Sequence, residues 1–281
     1  MTLVVAIAAI AMLAACGPAE PRRAPIEKAA PTAPAPPARV ARRIVIPETA
    51  RTLVAVVPDT WSSTTAKLSM WGRYEGRWAI RSGPSDAVIG KAGAAWGIGL
   101  HGDGAPPGLT GPSKREGDGA SPAGVFSVGR SFGTMKERPY ATPYQRVNAN
   151  WKCVDDPASR SYNLVLDQRT VTKDWSSAED MVRSDELYDI VLEINHNPGR
   201  VPGKGSCIFL HVWGGPEVPT IGCTAYDPDQ LFEAMLAIST DTVFVLLPRA
   251  EFEALASEWG LPALDKTKPG FDELLERDSM R

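Results

Sequence analysis

This 281-residue chain has no strong excess of charge of either sign: 30 Lys and Arg stand against 33 Asp and Glu, a formal net charge of −3. That balance leaves no footprint for general nucleic-acid binding, which needs basic surface to neutralise phosphates. Histidine is scarce at three residues, and no His-Glu-X-X-His pattern joins them, so the sequence expectation is no metal and no cofactor. Ser-X-X-Lys and Gly-X-Ser-X-Gly are missing as well, which removes the familiar serine acyltransferase layouts. The longest apolar run, residues 3–15, is too short to span a bilayer. Aromatic residues make up only 7%, yet eight of them are tryptophan, a number read first as core packing and second as carbohydrate-facing surface. No internal repeat is visible.

Leu13-Ala14-Ala15-Cys16 closes the apolar run and resembles a bacterial lipobox, small residues before a cysteine that takes lipid and becomes the mature N-terminus. The resemblance implies a lipoprotein signal peptide over residues 1–15 and lipidation of Cys16, with an ordinary cleaved signal peptide as the alternative. No Lys or Arg precedes the run, which is compatible with a start codon further upstream. Gly17 rather than Asp after the cysteine looks like the form sorted to an outer membrane. Export would place the rest in an oxidising, periplasm-facing compartment. With Cys16 lipidated, Cys153, Cys207 and Cys223 remain, and an odd number cannot all pair. The expected arrangement is a Cys153–Cys207 disulfide with Cys223 free; Cys207–Cys223 pairing stays open.

Residues 17–43 hold seven prolines, many alanines and six basic residues, a composition that cannot bury a core. The organisation expected is therefore a lipid-anchored Pro/Ala-rich linker over 16–50, a folded domain over 51–249, and a C-terminal helix and tail over 250–281. Leu53–Val57 reads as a strand stopped by Pro58, and the segments Lys67–Trp71 and Arg77–Arg81 flank a hairpin turn. Further strands are expected at Gly124–Val128, Tyr162–Leu166, Tyr188–Ile194, Cys207–Val212 and Thr242–Leu247, with a long Gly/Pro/Ser-rich loop from Leu100 to Gly124. Asp227-Pro228-Asp229-Gln230 opens a capped helix, and Arg249–Trp259 forms a second that ends at Gly260. The fold class is mainly β (β-rich α+β) with a few peripheral helices.

Gly205-Ser206-Cys207-Ile208-Phe209-Leu210-His211 is followed by Thr220-Ile221-Gly222-Cys223-Thr224. A free thiol has a pKa near 8.5 and needs a neighbour to become a useful nucleophile, and His211 is the candidate neighbour. Gly222 permits a sharp turn whose N–H groups, with Thr220 and Thr224 alongside, can form an oxyanion hole. This pattern resembles the signature of the L,D-transpeptidase (YkuD-type) catalytic domain family, a histidine, a spacer, then Ser/Thr-X-Gly-Cys. Lys114-Arg115-Glu116-Gly117-Asp118-Gly119-Ala120-Ser121-Pro122-Ala123-Gly124-Val125-Phe126 resembles the same family's second element. Ile221 stands where many members have His, and the spacer is short, which marks a divergent branch.

The resemblance implies a β-sandwich-like fold and peptidoglycan synthesis. In that reading Cys223 attacks the bond between an L-centre and D-Ala of a stem peptide, and His211 serves as general base and acid. A second stem or a D-amino acid resolves the thioester; water as acceptor would give a carboxypeptidase or amidase. A non-catalytic peptidoglycan-binding lipoprotein is the expectation from another class. Peptidoglycan stem peptides and the membrane, through the anchor, are the expected partners of a monomer. His101, Arg115, His196 and Trp213 are candidate substrate contacts, each with a plain structural alternative: a loop-anchoring hydrogen bond, a solvated charge, a turn residue and rim packing.

Overall fold

A computed structural model of the chain describes residues 45–136 and 138–264. The signal peptide, Cys16, the linker up to residue 44 and the tail from residue 265 lie outside the described residues. Val45, Ile46 and Ala50 are buried, and Ile46 N–H donates to the Trp259 carbonyl at 3.2 Å, so residues 45–50 belong to the folded body rather than the linker.

Eight strands make a closed barrel: β1 (Thr52–Val57), β2 (Thr65–Tyr74), β3 (Arg77–Val88), β4 (Ser121–Gly133), β5 (Val191–Ile194), β6 (Phe209–Val212), β7 (Thr224–Tyr226) and β8 (Thr242–Leu246). Around the ring the order is β1-β2-β3-β7-β6-β5-β4-β8 and back to β1. Closure pairs the backbone groups that an open sheet would leave on its edges. All six residues of β1 are buried, which its unbroken apolar run requires. Glu75 and Gly76 join β2 to β3, both with positive φ (45° and 77°), the backbone of a two-residue hairpin turn. The expected loop from Leu100 to Gly124 is interrupted: Ile98–Gly99 pairs with Gly102–Asp103, and β4 begins at Ser121.

Two joints of the ring are parallel, β8 with β1 and β6 with β7. A parallel pair forces the chain to travel back along the strand length before re-entering the sheet. Between β6 and β7 this return runs through residues 213–223, so the Thr220–Cys223 segment is the crossover itself.

Helix α1 (Pro228–Ala237) starts on the Asp227 carboxylate, which accepts the Asp229 and Gln230 N–H groups at 3.0 and 3.1 Å. Leu231, Ala234 and Met235 are its buried face. Helix α2 (Arg249–Trp259) buries Phe252, Leu255 and Trp259 and ends at Gly260, whose left-handed φ of 77° turns the chain away. Trp259 meets Trp96 edge-on at 6.4 Å, and both belong to the main core. Trp71, Trp96, Trp175 and Trp259 are buried. Among the described residues no helix is long and apolar enough to cross a membrane.

A second, smaller sheet lies outside the ring, with Trp151–Cys153 between Val165–Asp167 and Glu179–Asp180, all antiparallel. Its residues join Phe132, Tyr188, Val191, Cys207, Phe209 and Cys223 in a separate buried cluster. The architecture is thus a mainly-β closed barrel with two small helices and a side sheet packed over β5 and β6.

Candidate functional site

The crossover brings the two sequence motifs into contact. Ser121, the first residue of β4, donates its hydroxyl to the Cys223 carbonyl at 2.7 Å and accepts Gly90 N–H at 2.9 Å. Thr220 Oγ1 donates to the same carbonyl at 2.6 Å and accepts Gly222 N–H at 3.1 Å. Gly222 has φ 148°, and a Cβ there would stand 3.3 Å from the Ala120 carbonyl, so both conformation and space select glycine. The 114–120 segment is tied by Asp118, whose carboxylate accepts Lys114 Nζ and the N–H groups of Arg115 (2.7 Å) and Ala120 (2.9 Å). Lys114 is buried, and its ammonium is 3.9 Å from where a Gly222 Cβ would be.

His211 lies in β6, level with Ala225 of the parallel strand β7, and Cys223 immediately precedes β7. Thr224, level with Leu210, is buried. The Cys223 sulfur accepts Phe209 N–H at 3.3 Å and faces the Cys207 carbonyl at 3.4 Å. His211 Nδ1 donates to the Val212 carbonyl at 2.7 Å, and its ring meets Tyr188 at 5.1 Å. β7 separates Cys223 from the Asp227 cap of α1.

These surroundings correct the expected cysteine-dependent L,D-transpeptidase. Cys153 and Cys207 are joined to each other, with Cα atoms 5.9 Å apart, and neither is available as a nucleophile. The remaining thiol, Cys223, is free but buried, and burial, with Glu179 adding to it, pushes its pKa up to about 12. Burial likewise pushes His211 down to about 4. Both groups are neutral, and each is engaged with backbone rather than with the other. A buried neutral thiol is inert as a nucleophile. The acyl-enzyme step, its hydrolytic variants, the enzyme assignment and the general-base role of His211 are overturned together.

The side sheet accounts for the burial. Glu179, level with Cys153 in that sheet, accepts the Tyr188 hydroxyl at 2.8 Å. Burial pushes Glu179 up to about 7, despite that hydrogen bond. Tyr188, itself buried, has its pKa raised first by burial and then by Cys223 and Glu179. A half-buried carboxylate of the side sheet and a buried phenol, thiol and imidazole thus lie close together.

The other candidate residues separate. His101 is a core side chain wedged against Phe126 and Trp259, its Nδ1 accepting Val125 N–H at 3.1 Å. His196 is buried, accepts Ile98 N–H at 3.2 Å and contacts the Lys204 carbonyl at 2.9 Å through its other nitrogen. Burial pushes its pKa down to about 4. Arg115 is exposed, and Trp213 is half-buried with its backbone N–H on the Tyr226 carbonyl. Sequence reasoning missed Glu116, which accepts hydrogen bonds from Tyr162 and Ser206, and Asn163, whose amide spans His196, Asn197 and Cys207. Only the contacts across long sequence separations reveal them. Among the described residues no group of His, Cys, Asp and Glu could hold a metal ion. Comparison of the chain with protein-family models, with curated proteins and with solved structures returned no match in any of the three.

Proposed function

We propose that this chain is a peptidoglycan-binding domain of the bacterial cell envelope that recognises stem peptides without acting on them. In this reading it is a divergent form of the YkuD-type scaffold, lipid-anchored through Cys16, that keeps the architecture of the nucleophile turn and not its reactivity. The observation that carries the proposal is the meeting of the two motif segments at Gly222–Cys223 around a thiol held neutral. Ser121, Thr220 and Gly222 build the turn, and Cys223 contributes packing.

The test is sedimentation of the full chain with purified sacculi, followed by muropeptide analysis. Co-sedimentation is expected to be the same for the wild type and Cys223→Ala, with an unchanged muropeptide profile and no mass adduct after incubation with a carbapenem. Absence of co-sedimentation would overturn the proposal. So would a change in crosslinking that disappears in Cys223→Ala.

A further inference from the structure

Strand β3 runs for twelve residues, while its neighbour β7 has three and meets it only at Ala87 and Val88. Over Arg77–Asp86 the strand is paired with β2 on one edge, and no strand reaches its second edge among the described residues. Such an edge presents a row of N–H and C=O groups that another extended chain can complete. Pro84 carries no N–H, so the usable stretch is Arg77–Gly83. Beyond β7 the chain turns into α1, and a cleft of about 410 Å³ opens between that helix and residues 81–85 of β3. Its floor includes buried Met70 and Tyr226, whose hydroxyl is hydrogen-bonded to that of Ser85. Gly83 lines the strand wall with φ 85°, and a Cβ there would stand 2.5 Å from the Leu68 carbonyl, so the position demands glycine. On the helix wall Asp229 and Glu233, an i,i+4 pair, are exposed, and neither enters an ion pair among the described residues.

A strand edge selects an extended polypeptide, the ligand that repeats N–H and C=O groups at strand spacing. Two carboxylates without counter-ions on the opposite wall select a basic side chain. We infer that the cleft between β3 and α1 docks an extended, basic segment of a partner protein, which adds a strand to β3 and lays a Lys or Arg against Asp229 and Glu233. Arg81, exposed on the strand wall, directs that cation toward the helix. The surface shares no residue with the Ser121–Thr220–Cys223 site, and the inference stands apart from the stem-peptide reading.

The experiment is fluorescence anisotropy of the full chain with short labelled peptides. Alternating Lys-Val is the probe. Alternating Glu-Val reverses its charge, and Lys-Val N-methylated throughout keeps the charge and loses the backbone donors. Lys-Val is expected to bind, and both comparison peptides to bind about tenfold more weakly or less. The Asp229→Asn, Glu233→Gln double variant, shown to be folded by its thermal melt, is expected to weaken Lys-Val binding by about threefold to tenfold. Failure of Lys-Val to bind the wild type would overturn the proposal. Equal affinity for the N-methylated peptide would overturn strand addition, and unchanged affinity in the double variant would overturn the basic partner. Self-association of the chain that the Lys-Val peptide disperses, read by sedimentation velocity, would give the edge to a second copy instead.

Discussion

At the scale of single residues the decisive fact is how burial treats a thiol and an imidazole. Desolvation penalises charge, so it raises the thiol and lowers the imidazole, and the two shifts move the pair away from a thiolate–imidazolium state. Alkylation of Cys223 should therefore be very slow in the native chain at pH 8 and fast in denaturant. Peptide mapping after timed iodoacetamide exposure measures this, and rapid native labelling would show that the thiol is open to solvent. The Cys223 carbonyl has its own demand, since both Ser121 and Thr220 donate to it. Ser121→Ala also strips the Gly90 N–H of its acceptor and should cost about 1–3 kcal/mol in urea unfolding. Thr220→Ala likewise strips the Gly222 N–H, but Thr220 is half-buried where Ser121 is fully buried, so it should cost less.

Elements were legible where a local signal decides them. The run Leu53–Val57 ahead of Pro58 marks β1, Asp227-Pro228 marks the start of α1, and Gly260 marks the end of α2. The side sheet left almost no trace, because strands of two and three residues carry no periodicity. Tyr162 and Tyr188, read as strand starts, fall outside strands that begin at Val165 and Val191. For the site, motif order placed Ser121 and Cys223 in the same region, but Glu179 comes from that hidden element and Tyr188 from the segment leading into β5, and the burial of the thiol came with them. The disulfide closes a 54-residue separation between the side sheet and β6. A loop of that length is worth about 4 kcal/mol in the chain-entropy account. The Cys153→Ser, Cys207→Ser double variant should lose roughly that stability in urea. Hydrogen exchange should show the loss first at Trp151–Cys153 and Glu179–Asp180, and uniform protection across barrel and side sheet would argue that the bridge fastens nothing.

For the whole molecule, ring closure follows from pairings that no local pattern announces: β4 finds β5 across nearly sixty residues, and β1 finds β8 from opposite ends of the domain. The ring and the side sheet together bury the groups that set how stability responds to pH. His196 and His211 fall from 6.5 to about 4 on folding, so the unfolded chain binds their protons first as pH drops. The stability they contribute is complete above pH 6.5 and is lost as pH falls toward 4. Glu179 rises from 4.5 to about 7, so its burial is tolerated in acid and costs stability as pH climbs from 4.5 to 7. Between pH 4.5 and 6.5 the unfolded state therefore binds two more protons at the histidines and one fewer at Glu179, a net of one. Unfolding free energy should rise with pH across that window and peak near pH 6.5. Replacing Glu179 with Gln removes the opposing proton, so the slope should steepen while stability above pH 7 increases. Urea unfolding of both chains at half-unit steps from pH 4.5 to 8 reads the two slopes directly. Equal slopes would show that Glu179 is not desolvated on folding, and that the side sheet does not cover Cys223 as described.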